Sequence, residues 1–340
     1  MTTHNVDGPY FEEFSLGQQF FAPAVTITSG HTAYYQAVCG DRLLLPLDNE
    51  MSYKVTGNPN ALVHPMLVIN IVNGQTTYAS QHVKGNLFYR GLVLQEPVFV
   101  GDTLTTVTTV VRLKQNKPKP SRAATGMVVL EMETKNQRGD IVMKYWRCPM
   151  IPCRDPRAET GLDDDFGGIP ERLNDNQLDD AVPKSWDYGQ MKDSSFGSPL
   201  LDMEVEDRVV IAAKDSITNA PELVRLTGNI AFAHTDASKS YLGKRLVYGG
   251  HTISVALSQV IRAIPNTVTL LGWQSCDHLS PVLEEDIIRT EFTLKKKRKA
   301  QVSANICEIE VDSWTQRFSE KAETYVEEHA LKWKLVLLVP

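Results

Sequence analysis

Residues 61–75, ALVHPMLVINIVNGQ, align without a gap to residues 245–259, RLVYGGHTISVALSQ, and this self-similarity constrains the fold more than any other feature of the chain. The same offset of 184 residues sets Pro97-Val98 on Pro281-Val282 and Asp102 on Asp286. A register kept over about forty residues reads as one structural unit written twice. Each half opens with a loosely alternating segment (FEEFSLGQQFFAPAVTIT, DMEVEDRVVIAAKDSIT) and a short helical piece (HTAYYQAVCGD, APELVRLTGN). An apolar stretch then shows helical spacing, through Met66, Ile69 and Val72 in one half and Ile253, Leu257, Val260 and Ile261 in the other. Runs rich in Val, Thr and Ile, such as PVFVGDTLTTVTTVVRL and GMVVLEMETKN, close each half as strands. One helix enclosed by an antiparallel sheet, repeated, predicts an α+β architecture. The halves are residues 1–153 and 187–340. Between them, residues 154–186 are acidic, hold Pro and Gly, show little apolar period and read as a linker that lets the halves pack side by side.

Composition narrows the function classes. The chain is 42% hydrophobic and 22% charged, an ordinary globular profile, and its net charge of −6 gives no electrostatic reason to expect nucleic acid or an anionic membrane as partner. The five cysteines are scattered, with no CxxC pair, and read as reduced thiols of a cytoplasmic protein without a metal site. The N-terminus lacks the basic start and apolar core of a signal peptide, and no apolar run reaches membrane-spanning length. No phosphate-binding Gly motif is present, so no nucleotide cofactor is expected.

The chemistry-bearing residues concentrate in TGNIAFAHTD (227–236) and RLVYGGHTIS (245–254). With YFEEFSLGQQF near the start and PVFVGDTL in the first half, they resemble the MaoC-like dehydratase family in its double hot-dog form. Within it the chain looks most like the two-repeat acyl-CoA hydratases of the mesaconyl-CoA hydratase, or methylmalyl-CoA dehydratase, type. The resemblance implies two tandem hot-dog repeats, a degenerate N-terminal one that walls the acyl or CoA pocket and a catalytic C-terminal one. It implies a hydro-lyase acting on a short, branched or dicarboxylic enoyl-CoA, with coenzyme A present only as part of the substrate, and a homodimer as the assembly. That family shows a Gly-Asp pair, a His five residues later, and a His-Gly or Gly-Gly opening the central helix. His234 falls on the catalytic histidine, Asn229 on the usual aspartate and Gly250 on the helix start whose N–H holds the thioester oxygen. Asn in place of Asp is a departure, since an amide does not exchange a proton at neutral pH.

Those residue types suit hydration of a conjugated thioester. An imidazole titrates near working pH and can activate water. The Asn229 side-chain oxygen can hold that water while its amide N–H₂ bonds elsewhere. A helix N-terminus directs its dipole at charge developing on the enolate oxygen, and glycine there leaves the backbone open to the thioester. Tyr248, Gly249, His251, Asp236 and His64 are further candidates for substrate contact. Each residue also has a structural reading: Asn229 as the cap of the preceding helix, the paired glycines as loop punctuation, His251 in the pocket or in the core, Asp236 as an orienter of the imidazole or an exposed carboxylate. The first half keeps Gly40-Asp41 but holds Pro46 where His is wanted, and His64 comes much later, at the mouth of its helix. Tyr34, Tyr35 and Met66 read as pocket wall or core. Two basic clusters, Arg112–Arg122 and Leu294–Ala300, offer either a site for coenzyme A phosphates or solvated turns. A thioesterase and a non-catalytic acyl-CoA binding protein are the alternatives. The second-half helix offers no carboxylate for a thioesterase, which favours the hydratase.

Overall fold

The computed structural model describes residues 2–4, 6–117, 122–192, 199–240 and 242–340. Strands β1 (Gln19–Phe21), β2 (Val25–Thr26), β3 (Gly85–Leu94), β4 (Thr103–Gln115), β5 (Thr125–Lys135) and β6 (Ile141–Pro152) come from the first half. Strands β7 (Arg208–Val210), β8 (Asp215–Ser216), β9 (Thr269–His278), β10 (Ile287–Lys299), β11 (Asn305–Ser319) and β12 (Thr324–Val339) come from the second. They form one sheet in the order β1-β4-β5-β6-β3-β9-β12-β11-β10-β7, with β2 on β4 and β8 on β10. Every pairing is antiparallel. The order reads the same from either edge, and the seam is the β3–β9 pair, Tyr89 opposite Cys276 and Val93 opposite Gly272.

The offset seen in the sequence recurs in the element boundaries. β3 and β9, and β4 and β10, start and end 184 residues apart, and so do the starts of the two central helices, Pro65–Gln75 and Gly249–Ala263. Each helix packs against strand residues of the sheet and is buried almost throughout. The two helices meet where Asn70 Nδ2 donates to Ser254 Oγ at 3.0 Å, a pair of residues that are themselves 184 apart. Close approach at that contact requires a missing side chain, because a Cβ on Gly250 would stand 2.0 Å from Asn70 Oδ1.

Residues 154–186 do more than connect. Leu173, Leu178, Ala181, Val182 and Trp186 bury themselves with Leu271, Val336 and Leu338. Those sheet residues alternate with Leu270, Leu335 and Leu337, which face the helices, so the segment covers the opposite face. Its acids also neutralise a basic cluster: Lys296 donates to Asp175 at 2.8 Å and Arg298 to Asp179 at 2.7 Å. The Leu294–Ala300 cluster is thus largely engaged by the protein itself, Lys295 pairing with Glu206 and Lys297 with the Leu201 and Met203 carbonyls. In the Arg112–Arg122 cluster Lys114 pairs with Asp163, while residues 118–121 lie outside the described residues. No helix among the described residues is long and apolar enough to cross a membrane.

Candidate active site

The segment between Gly228 and Thr235 is held from both halves. The helix Ala220–Leu226 ends with Gly228 at φ +65°, and Asn229 N–H reaches back to the Val224 carbonyl at 3.0 Å. Left-handed glycine followed by a six-to-one hydrogen bond is how a helix stops while the chain turns sharply, and it frees the Asn229 side chain. From the first half, Thr77 Oγ1 accepts Ile230 N–H at 3.1 Å and the Gln81 carbonyl accepts Phe232 N–H at 2.9 Å. A single turn, Phe232–Thr235, then carries His234.

His234 Nδ1 lies 3.0 Å from the Leu246 carbonyl oxygen. Only an N–H can donate to a carbonyl, so Nδ1 carries the proton and Nε2 keeps a lone pair. Burial holds the imidazole below its ordinary value, against an opposing push from the Leu246 carbonyl, so the ring is neutral at pH 7. The Tyr248 ring stands 5.6 Å from it, centre to centre.

His234, Asn229, Tyr248 and Gly249 line one cavity of about 250 Å³, closed on its other side by first-half residues including Asn73, Tyr89 and Arg147. Among the described residues, no Asp or Glu lines it. At the helix start, neither Gly249 N–H nor Gly250 N–H meets an acceptor among the described residues. Unpaired N–H groups at the positive end of a helix dipole form a ready anion site.

Several expectations are corrected. Gly249, not Gly250, borders the cavity; Gly250 is buried against Asn70 and Tyr248, so its lack of a side chain serves helix contact rather than substrate access. The Asn229 oxygen accepts Ala231 N–H at 2.9 Å, which leaves the amide nitrogen, a donor, for the cavity. Asp236 does not orient the imidazole: it accepts from Ser238 N–H and Oγ at 2.9 and 2.7 Å and caps a short turn, while the Leu246 carbonyl does the orienting. His251 is fully buried beside Val38 and outside the cavity, with neither ring nitrogen bonded; burial pushes it down to about 4.

His64 lies in a different cavity, of about 420 Å³, shared with Asp41 and Tyr35. The fold brings His64 Nε2 to 3.0 Å from Asp41, an acid–imidazole pair that an inserted helical stretch (Leu44–Leu47, Asn49–Thr56) separates in sequence.

One residue of the site escaped the sequence reading. His278, at the end of β9, lines the cavity with Nε2 unbonded, and a Cβ on Gly249 would sit 2.5 Å from that nitrogen. Burial first, and the nearby His234 second, push it down to about 4. A signal existed, since the 184-residue register sets this polar residue opposite Leu94.

No family model matches the chain. The β-methylmalyl-CoA dehydratase of Chloroflexus aurantiacus is 31% identical over 300 residues, 85% of this chain and 82% of that protein. The chain belongs to the MaoC-like dehydratase family. Membership places it among the hydro-lyases. Two solved structures share the fold over the whole length. A conserved hypothetical protein of Mycobacterium tuberculosis with a double hotdog fold superposes with a TM-score of 0.87 and 37% identity, covering 97% of this chain and 98% of its own. A putative MaoC domain protein dehydratase from Chloroflexus aurantiacus gives 0.82 and 25%, covering 100% and 99%. The two repeats are hot-dog repeats, each an antiparallel sheet around a central helix.

Proposed function

We propose that the protein adds water reversibly across the double bond of a short enoyl-CoA thioester, and that the second repeat carries the reaction. The observation that supports this most is a neutral imidazole with Nδ1 anchored and Nε2 free, sharing a cavity with a helix start whose Gly249 N–H meets no acceptor among the described residues. His234 Nε2 takes a proton from water as its oxygen bonds the β-carbon. The π electrons shift onto the thioester oxygen, where Gly249 N–H and the helix dipole meet the charge. The imidazolium then returns the proton to the α-carbon, so a single acid–base group balances the reaction and Asn229 need not titrate. Asn229 Nδ2 donates to the water oxygen and points a water proton at Nε2. The first repeat acts as the wall of the acyl pocket. Coenzyme A extends into an adjoining cavity of about 610 Å³ that shares His234 and Leu246 and carries Lys244 and Arg245 for its phosphates.

Absence of any carboxylate among the described residues of the cavity wall speaks against hydrolysis by an acidic nucleophile or base. An absorbance assay on enoyl-CoA thioesters from crotonyl-CoA upward tests the reading. Loss of the conjugated signal without release of free thiol, dependent on His234, is expected. Free thiol would make the protein a thioesterase, and binding with no turnover would make it an acyl-CoA binding protein.

A further inference from the structure

Tyr248 precedes the second repeat's helix start, yet its side chain makes no capping hydrogen bond there. The ring folds back on the helix instead, so that a Cβ on Gly250 would stand 2.6 Å from Tyr248 Cε1 and Cζ. Its hydroxyl reaches the central helix of the first repeat and accepts Asn73 Nδ2–H at 2.8 Å. Asn73 Oδ1 takes the Tyr145 hydroxyl at 3.2 Å, which fixes the amide with its nitrogen toward Tyr248. Tyr248 therefore receives a hydrogen bond and keeps its own proton to give; none of the described residues accepts it. Burial first, and Tyr89 second, hold the phenol well above its ordinary value against an opposing push from Asn73, so it stays protonated at pH 7. The 184-residue register sets His64 opposite Tyr248 and Leu257 opposite Asn73, so the hot-dog frame itself asks for neither.

Behind this phenol stands a cation. Arg147, on β6, is only 4% exposed, and its partners are the Thr76 carbonyl and Oγ1, Ser80 Oγ and the Tyr89 hydroxyl, all uncharged. The Tyr89 hydroxyl bonds both Arg147 and Asn73, so one network runs from the guanidinium through Tyr89 and Asn73 to Tyr248. All four residues line the cavity that holds His234, Asn229 and Gly249. A buried guanidinium without a counter-charge is disfavoured in the resting protein. Its hydrogen-bond network is worth most where negative charge develops in a dry site, because each donor polarises the next. In the proposed reaction that charge gathers on the thioester oxygen, at the helix start against which the Tyr248 ring lies.

We infer that Tyr248 is a catalytic residue whose hydroxyl donates to the thioester oxygen beside Gly249 N–H, and that Asn73 is the positioning residue that aims it. The inference rests on the hydratase reading above. Tyr248 keeps its proton throughout: its hydrogen bond tightens as charge gathers on the oxygen, and His234 alone takes and returns the proton that moves.

The test is isotope-edited infrared spectroscopy of crotonyl-CoA labelled at the thioester carbonyl carbon, bound to a His234→Ala background that stops turnover. The carbonyl stretch should lie lower in the bound than in the free thioester. Adding Tyr248→Phe should return a substantial part of that shift while the thioester still binds. In the otherwise unaltered protein, Tyr248→Phe should lower kcat for hydration about 10²-fold with KM nearly unchanged, as for loss of one oxyanion donor. Asn73→Leu, which installs the second repeat's matching residue, should give smaller changes of the same kind in both readouts. A carbonyl stretch untouched by Tyr248→Phe overturns the inference, as does a loss confined to KM, which is what a packing role produces. Should Tyr248→Phe not fold, fluorotyrosine at position 248, a more acidic phenol of nearly equal size, decides: the stretch must move lower still, and an unmoved stretch overturns the inference. If the unaltered protein binds crotonyl-CoA without hydrating it, the hydratase reading fails, and the carbonyl stretch still reads Tyr248 directly.

Discussion

The two repeats share a frame but finish the start of the central helix in opposite ways. In the second, Tyr248 precedes Gly249 and Gly250, whose N–H groups meet no acceptor among the described residues, and Gly249 lines the cavity that holds His234. In the first, the matching positions are His64, Pro65 and Met66. Proline has no N–H, and His64 Nδ1 takes the Met66 N–H at 3.0 Å. That helix start is capped from within, and the His64 ring is turned toward Asp41 rather than toward a ligand. An acid beside an imidazole looks more like catalytic machinery than an amide does. Yet on the proposed mechanism the first repeat lacks the electrophilic half of the reaction, whereas the second holds both halves. The difference teaches that helix capping, more than the identity of the acid–base pair, decides which repeat can work.

The largest expected effect separates the two histidines. His234→Ala should lower kcat for hydration by roughly 10²- to 10⁴-fold, the span usual for loss of a general base, while leaving acyl-CoA binding measurable by calorimetry. His64→Ala should leave kcat within a few fold. Comparable losses in both would break the asymmetry.

Next comes Gly250→Ala, whose Cβ would meet Asn70 Oδ1 at 2.0 Å and press the two helices apart. A loss of about 1–3 kcal/mol in urea unfolding is expected, as for overpacking elsewhere. At the matching position the first repeat already accommodates Met66.

Acid should act on the second repeat in two ways. His234 is held below the ordinary imidazole value of 6.5, so its base form survives moderate acidification and kcat/KM should fall only with an inflection below that pH. His251 is pushed down to about 4, so the unfolded chain takes up its proton first. Its contribution to stability is complete above pH 6.5 and lost as pH falls from there toward 4, about 3 kcal/mol in all. His251→Leu should flatten that part of a stability profile. A profile unchanged by the substitution would show that the ring is not held neutral.

The smallest effect is expected of Asp41→Asn. The new side chain can keep the acceptor that takes Leu43 N–H at 2.7 Å, so turnover should stay within about twofold. A large loss of activity would mean that the first repeat is not silent.

What could be read from the sequence was whatever repeats or sits close along the chain. The apolar spacing of Ile253, Leu257 and Val260 and the shared 184-residue register showed the central helices and the pseudo-symmetry, while the strand order had to come from the structure. The spacing of Asn229, His234 and Gly250 marked a candidate site because all three lie on one short stretch, though it is Gly249 that lines the cavity with the other two. Arg147 was invisible, since nothing in the strand sequence says which face of β6 will look into a cavity completed by the other repeat. The orientation of the Asn229 amide was equally hidden, being set by Ala231 N–H. Leu173, Leu178 and Trp186 are too widely spaced among acids to announce that residues 154–186 cover a sheet face.

The most direct test of the asymmetry is a crystal structure with a saturated, unreactive acyl-CoA. One ligand per chain is expected, its thioester oxygen within hydrogen-bond reach of Gly249 N–H and its β-carbon facing His234 Nε2. A thioester in the Asp41–His64 cavity, or one in each repeat, would contradict the account.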